Sequence, residues 1–102
     1  MLTHKDLVVR LNLQGLSTLE IAQQAYHTPR SVDAYLKAFD AVLILQLYGL
    51  PRALIASVLG KGESLVDEYL DLIGRYLRDS EEMRDYLRAK GVAIPHVLPH
   101  SG

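Results

Sequence analysis

Two stretches of this chain are versions of one another. Laid over itself without a gap so that Asp6 falls on Asp40, the sequence also brings Val8 onto Val42, Leu11 onto Leu45, Leu13 onto Leu47, Gly15 onto Gly49 and Leu16 onto Leu50. The match continues through Ile21 and Ile55, Ala22 and Ala56, Val32 and Val66, Asp33 and Asp67, Tyr35 and Tyr69, and Leu36 and Leu70. Twelve identities in the 31 positions from Asp6 to Leu36 make chance a poor explanation. A period of this size also occurs in stacked helical pairs, but two copies are fewer than such stacks usually need, and the Trp, Gly, Tyr and Pro pattern of a tetratricopeptide is missing.

Each copy reads as helix, tight turn and further helices. In the first, Leu7, Val8, Leu11 and Leu13 give an apolar stripe near the helical period from His4 to about Gln14. Gly15 ends that helix, and Gly49 stands at the same point of the second copy, because glycine takes the left-handed conformation that satisfies the last carbonyls. Ser17 and Glu20 have the spacing of a capping box, whereas Pro51 replaces Ser17 in the second copy and suits a first helical turn. Short helices follow, carrying Leu19, Ile21, Ala22 and Ala25 in one copy and Leu54, Ile55, Ala56 and Leu59 in the other. Thr28 is expected to cap a third helix that begins at Pro29 and turns Val32, Leu36 and Phe39 inward.

From Ser31 no breaker intervenes until Tyr48, so the third helix of copy one fuses with the first helix of copy two. The expected fold is therefore all-α: tandem helix-turn-helix repeats sharing one long central helix, plus a C-terminal helix and an irregular tail. Repeat one spans about 4–38, repeat two about 38–76 and the C-terminal helix about 80–90, with Met83, Tyr86 and Leu87 on one face. These form a single domain over 1–90, and 91–102 is a tail beginning at Gly91.

The stretch from Gly15-Leu-Ser-Thr-Leu-Glu-Ile-Ala through Thr28-Pro-Arg-Ser-Val-Asp-Ala-Tyr-Leu resembles the helix-turn-helix of LuxR-type regulators and of sigma-factor DNA-binding regions. The resemblance covers the greater part of each copy. Over Thr3 to Tyr76 the chain also resembles the C-terminal half of an uncharacterised prokaryotic domain-of-unknown-function family. Shared features are the Thr-His-Lys start, Gly-Leu-Ser, Glu-Ile-Ala, a His-Thr turn, Tyr-Leu, and the run Leu65-Val66-Asp67-Glu68-Tyr69-Leu70-Asp71-Leu72-Ile73. That likeness implies the fold but no activity, and it implies further chain before Met1.

The helix-turn-helix resemblance implies a third helix that enters the major groove of double-stranded DNA. Its outward candidates are Thr28, Arg30, Ser31, Ala34 and Lys37, with Arg30 suited to a bidentate bond to guanine or phosphate and Thr28 and Ser31 to backbone oxygens. Charge decides between the copies. The whole chain carries −1, but Met1 to Ala38 holds four basic and three acidic side chains, whereas Phe39 to Arg78 holds four and five. Around the equivalent helix of copy two stand Lys61, Glu63, Ser64, Asp67, Glu68 and Asp71, a surface expected to repel phosphate and to serve packing or protein contact. Asp33 and Asp67, just inside their helices, are assigned structural roles.

An apolar fraction of 49% in 102 residues supplies a core and favours a homodimer, whose twofold axis would suit paired DNA half-sites. The chain has no cysteine, no signal-peptide pattern and no apolar run long enough to span a bilayer, so the expected location is the cytoplasm, without a membrane partner. No phosphate loop, His-Glu-x-x-His or nucleophile turn is present, and no enzyme activity, cofactor, small-molecule ligand or metal is expected. His96 and His100 are separated by Pro99, which rules out a helical metal pair, and His4 and His27 are read as surface or turn residues. The expected function is thus a regulator-like DNA-binding module. The alternatives are a protein-interaction or homo-oligomerisation module on the same fold and, third, an accessory subunit of a mobile-element or polymerase complex.

Overall fold

The computed structural model describes residues 4–95, which form six α-helices and no strands. These are α1 (His4–Leu13), α2 (Thr18–Ala25), α3 (Pro29–Leu47), α4 (Arg52–Leu59), α5 (Glu63–Tyr76) and α6 (Ser80–Ala89). The chain is all-α, and no described helix is long and apolar enough to cross a membrane.

The offset that carries Asp6 onto Asp40 also carries both ends of α2 onto those of α4, and the start of α3 onto the start of α5. It reappears in the backbone as well. Gly15 and Gly49 have φ of 93° and 86°, and at each the next residue, Leu16 or Leu50, donates its amide to the carbonyl of Leu11 or Leu45. That six-to-one bond closes a helix end only when the intervening residue is left-handed, the reason glycine stands there. α1 stops at Leu13, with Gln14 already in the turn. The left-handed residue after α2 is Tyr26 at φ 56°, and its counterpart after α4 is Gly60 at φ 65°. A tyrosine there costs about 1–2 kcal/mol that the glycine avoids.

Helix starts follow local chemistry. The Ser17 hydroxyl accepts the Glu20 amide while the Glu20 carboxylate accepts the Ser17 amide, completing the capping box, and these bonds hold the Glu20 carboxyl below its ordinary range. Pro51 is the residue before α4 and not its first turn, with extended backbone and no side-chain cap. Thr28 caps α3, accepting the Ser31 amide at 3.1 Å, with Pro29 opening the helix.

Two buried clusters lie along α3. One joins Val8, Leu11, Ile21, Ala22, Ala25, Val32 and Leu36 from α1, α2 and the first half of α3. The other joins Phe39, Val42 and Leu43 with Ile55, Ala56, Val66, Tyr69 and Ile73, and extends to Leu77 and Leu87. Val8, Ile21, Ala22 and Val32 thus hold the places in the first cluster that Val42, Ile55, Ala56 and Val66 hold in the second. The apolar second half of α3 is covered from several sides, because α1, α4, α5 and α6 all pack on that helix. After α6, Val92 and Ile94 also pack against the second cluster, so the start of the expected tail belongs to the body of the protein. The reading of His96 and His100 falls outside the described residues.

Asp6 and Asp40, a matched pair of the repeat, bind the C-terminal helices. Asp6 is 2% exposed and accepts the Tyr76 hydroxyl at 2.6 Å and the Arg75 guanidinium at 2.5 Å, both from the end of α5. Asp40 accepts the Tyr86 hydroxyl at 2.5 Å, with Lys90 Nζ at 3.4 Å. Asn12 of α1 donates to that same tyrosine at 2.8 Å. Each aspartate thus accepts a phenol from a downstream helix and lies beside at least one cation.

Burial, the hydrogen bond to Asp40 and its negative charge all push the Tyr86 phenol well above the ordinary range near 10, and burial pushes Tyr69 up to about 12. Both groups stay protonated in the folded chain at a pH where the unfolded chain ionises. Their contribution to stability is complete below pH of about 10 and is lost as the pH rises further. A urea midpoint followed from pH 8 to 12 is expected to fall above about 10, and Tyr86→Phe is expected to make that fall shallower.

Candidate nucleic-acid interface

α3 places the sequence-derived candidates on its exposed side. Arg30, Ala34 and Lys37 are all exposed and follow the i, i+4, i+7 spacing that aligns them on one helical face. Thr28 is exposed too, but its hydroxyl oxygen holds the Ser31 amide and its proton goes to the Ser31 Oγ at 3.0 Å. Ser31 is half-buried. The two are thus bonded to each other at the start of α3. Ser31 alone retains a hydroxyl proton.

Arg30 makes no ion pair with any described residue, and no acidic residue lies in the first turn of α3. Lys37 pairs with Asp33 at 3.0 Å across one turn, with both side chains largely in water, so the pair is loose and contributes little to stability. The positive end of α3, an unpaired guanidinium and an exchangeable ammonium thus share a surface. Tyr26 adds a feature that the sequence alone did not single out. It is 94% exposed, in a strained left-handed conformation, two residues before the Thr28 cap. The only signal in the sequence was its misfit with Gly60 across the repeat.

The second copy is built differently at the matching place. Lys61, Glu63, Ser64, Asp67, Glu68 and Asp71 lie around the start and outer side of α5, and all six are exposed. However, Arg52 of α4 grips Asp67 through two bonds of 2.6 and 2.8 Å and Glu63 through one of 2.7 Å. That grip holds the Asp67 carboxyl below its ordinary range and raises the Arg52 guanidinium further, through the hydrogen bonds first and the opposite charge second. Arg75 occupies Asp71 in the same way at 2.7 Å. Glu63, Asp67 and Asp71 thus lock α5 to α4 and to α5's own last turn, while Glu68 faces Lys5 of α1 at 3.9 Å. Thr18 stands where Arg52 would be in copy one, so Asp33 has only Lys37 to meet.

Three further features were not anticipated. His4 and His27 come together: His4 Nδ1 faces His27 Nε2, with ring centroids 4.5 Å apart. His4 is an exposed residue and His27 a turn residue, as read from the sequence, and the α1–α2 and α2–α3 turns bring the start of α1 back beside the start of α3. An open cleft of about 660 Å³ is bordered by Asn12, Leu16, Tyr76, Tyr86 and Lys90, none of them on the α3 face. Finally, Tyr48, Leu54 and Val58 are 53%, 47% and 58% exposed, where copy one carries Gln14, Glu20 and Gln24.

Comparison with curated proteins and with solved structures finds no match. A family model does match over residues 1–72, most of the chain and nearly the whole of both repeats. The chain belongs to the family described as Protein of unknown function (DUF1670).

Proposed function

We propose that this protein is a small helix-turn-helix DNA-binding module whose single reading face is the first half of α3. The observation that carries this is the unpaired Arg30 at the N-terminal end of an exposed helix face that continues through Ala34 to Lys37. A helix presented this way fits the major groove with its first residues toward base edges, and Arg30 supplies two parallel donors to guanine or a phosphate. Lys37 leaves Asp33 for a phosphate at little cost, since the pair is solvent-exposed. Tyr26 offers a hydroxyl to the backbone beside the same helix end. In copy two the corresponding surface is closed by Arg52 and its carboxylates, which leaves one DNA face per chain.

Duplex binding measured over a salt series tests the reading. Arg30→Ala is expected to weaken binding by about 5- to 150-fold, the range for one bidentate contact, and Lys37→Ala to reduce the salt slope by about one. Absence of binding at low salt, or binding insensitive to both replacements, ends it.

A second reading has its own support. The exposed apolar trio Tyr48, Leu54 and Val58, polar in copy one, fits a contact between two copies of this chain about a twofold axis. The same samples sized by light scattering distinguish the two. A dimer that Leu54→Glu with Val58→Glu dissolves, in a protein that ignores DNA, makes this an association module.

A further inference from the structure

The imidazole pair beside the start of α3 has no part in the reading above. His4 opens α1 and His27 lies in the turn between α2 and α3, 23 residues later, so the pair ties together two segments that the chain does not hold together locally. The rings meet at 75°, edge to face, with His4 Nδ1 and His27 Nε2 directed at each other. A second edge contact, with Tyr35 at 5.7 Å and 87°, restricts how the His27 ring turns. The charged groups nearby are Lys5, whose ammonium lies 5.6 Å from the Tyr35 centroid, and Glu68, 3.9 Å from that ammonium. Among the described residues no carboxylate bonds either imidazole.

Two neutral imidazoles that face each other have one N–H between them, donated by one ring and accepted by the other. A metal ion held in place of that shared proton, which passes through water to the outer nitrogen of the ring that donated it, would receive a lone pair from both neutral rings, with the nitrogens parted to about 3.3 Å by two bonds of about 2.05 Å at a near-tetrahedral angle. Imidazole nitrogen selects zinc, nickel and copper over magnesium and calcium, which prefer oxygen. His4 is exposed and His27 only partly covered, so water can fill the remaining positions. No cluster of three His, Cys, Asp or Glu stands together among the described residues, which makes this a site of two protein ligands.

We propose that His4 and His27 form a two-imidazole site for a divalent transition metal of the zinc, nickel and copper class, which clamps the start of α1 to the turn that precedes α3. Because His27 adjoins the Thr28 cap, the clamp holds the end of the helix that carries Arg30. The site does not depend on the DNA reading, and its test uses no DNA.

Thermal unfolding of the untagged full chain is measured with Zn²⁺, Ni²⁺ or Mg²⁺. At a metal concentration about ten times the dissociation constant, Zn²⁺ and Ni²⁺ are expected to raise the melting temperature by about 6 °C, and Mg²⁺ to leave it unchanged. His4→Gln and His27→Gln, which keep a hydrogen-bonding side chain but remove the imidazole, are each expected to abolish the rise. A chain with both His96→Ala and His100→Ala is expected to retain it. No rise in the natural sequence, a rise that survives either Gln replacement, or a rise lost with His96 and His100 overturns the proposal.

Discussion

Phe39→Ala is expected to cost about 3–5 kcal/mol of folding stability, the range for removing a fully buried aromatic side chain. Phe39 is completely buried, lies near the middle of α3 and meets the Tyr86 ring edge-on with centroids 5.7 Å apart. Its position makes collapse around the gap difficult. The ring sits just beyond the first cluster, where α3 passes into the second, and it backs the tyrosine that bonds Asp40 and Asn12. Neighbouring side chains cannot fill the space without pulling α6 inward and breaking those bonds. Phe39→Leu keeps most of the volume and is expected to lose roughly half as much or less. Urea unfolding of both variants checks this. A loss for the alanine no larger than a volume-conserving core swap costs, under about 1.5 kcal/mol, would show that α3 is not the shared spine of the two clusters.

Asp6→Ala carries the second large effect, about 2–4 kcal/mol. Removing one member of a buried ionic group typically costs about 3–5 kcal/mol, because the partners are left uncompensated. Here the loss is somewhat smaller, since Arg75 is about half exposed and returns to water, and the Tyr76 hydroxyl that loses its acceptor is only half-buried. Asp6→Asn keeps the shape and one acceptor, and is expected to retain about half of the lost stability. The charge matters because Arg75 and Arg10 both approach the same carboxylate, Arg10 Nε at 3.6 Å. If Asp6→Ala unfolds at the same urea concentration as the natural sequence, α1 is not held to α5 by this contact.

Both variants concern residues that carry different amounts of information in the sequence. Phe39 was legible as core, because it continues the inward spacing of Val32 and Leu36. Asp6 was visible only as an identity with Asp40. An aspartate near a helix start ordinarily reads as a dipole partner or a solvated residue, and nothing local announces a tyrosine and an arginine arriving from about 70 positions away. The same limit explains the site. Arg30, Ala34 and Lys37 were legible as one exposed face because helical spacing is a local property. That Thr28 and Ser31 are occupied with each other was half-legible, since Thr28 was already expected to cap α3. That Arg52 closes the acidic surface of copy two was not legible, because its partners lie 11 and 15 residues on in a different helix.

The repeat, the all-α class, the long helix across the copies and the glycine turns were determined by sequence alone, since each depends on patterns that hold over a few neighbouring positions. Periodicity decides which side of a helix is apolar, and a left-handed position after a helix selects glycine by steric cost. Tertiary structure alone decided what the equal positions do. It joined His4 to His27, gave Asp6 and Asp40 their phenols, turned the apolar trio of copy two outward, and left Arg30 without an ion pair among the described residues. Those outcomes follow from how six helices cross, and crossing is set by the summed packing of side chains far apart in the chain, a quantity no local pattern contains.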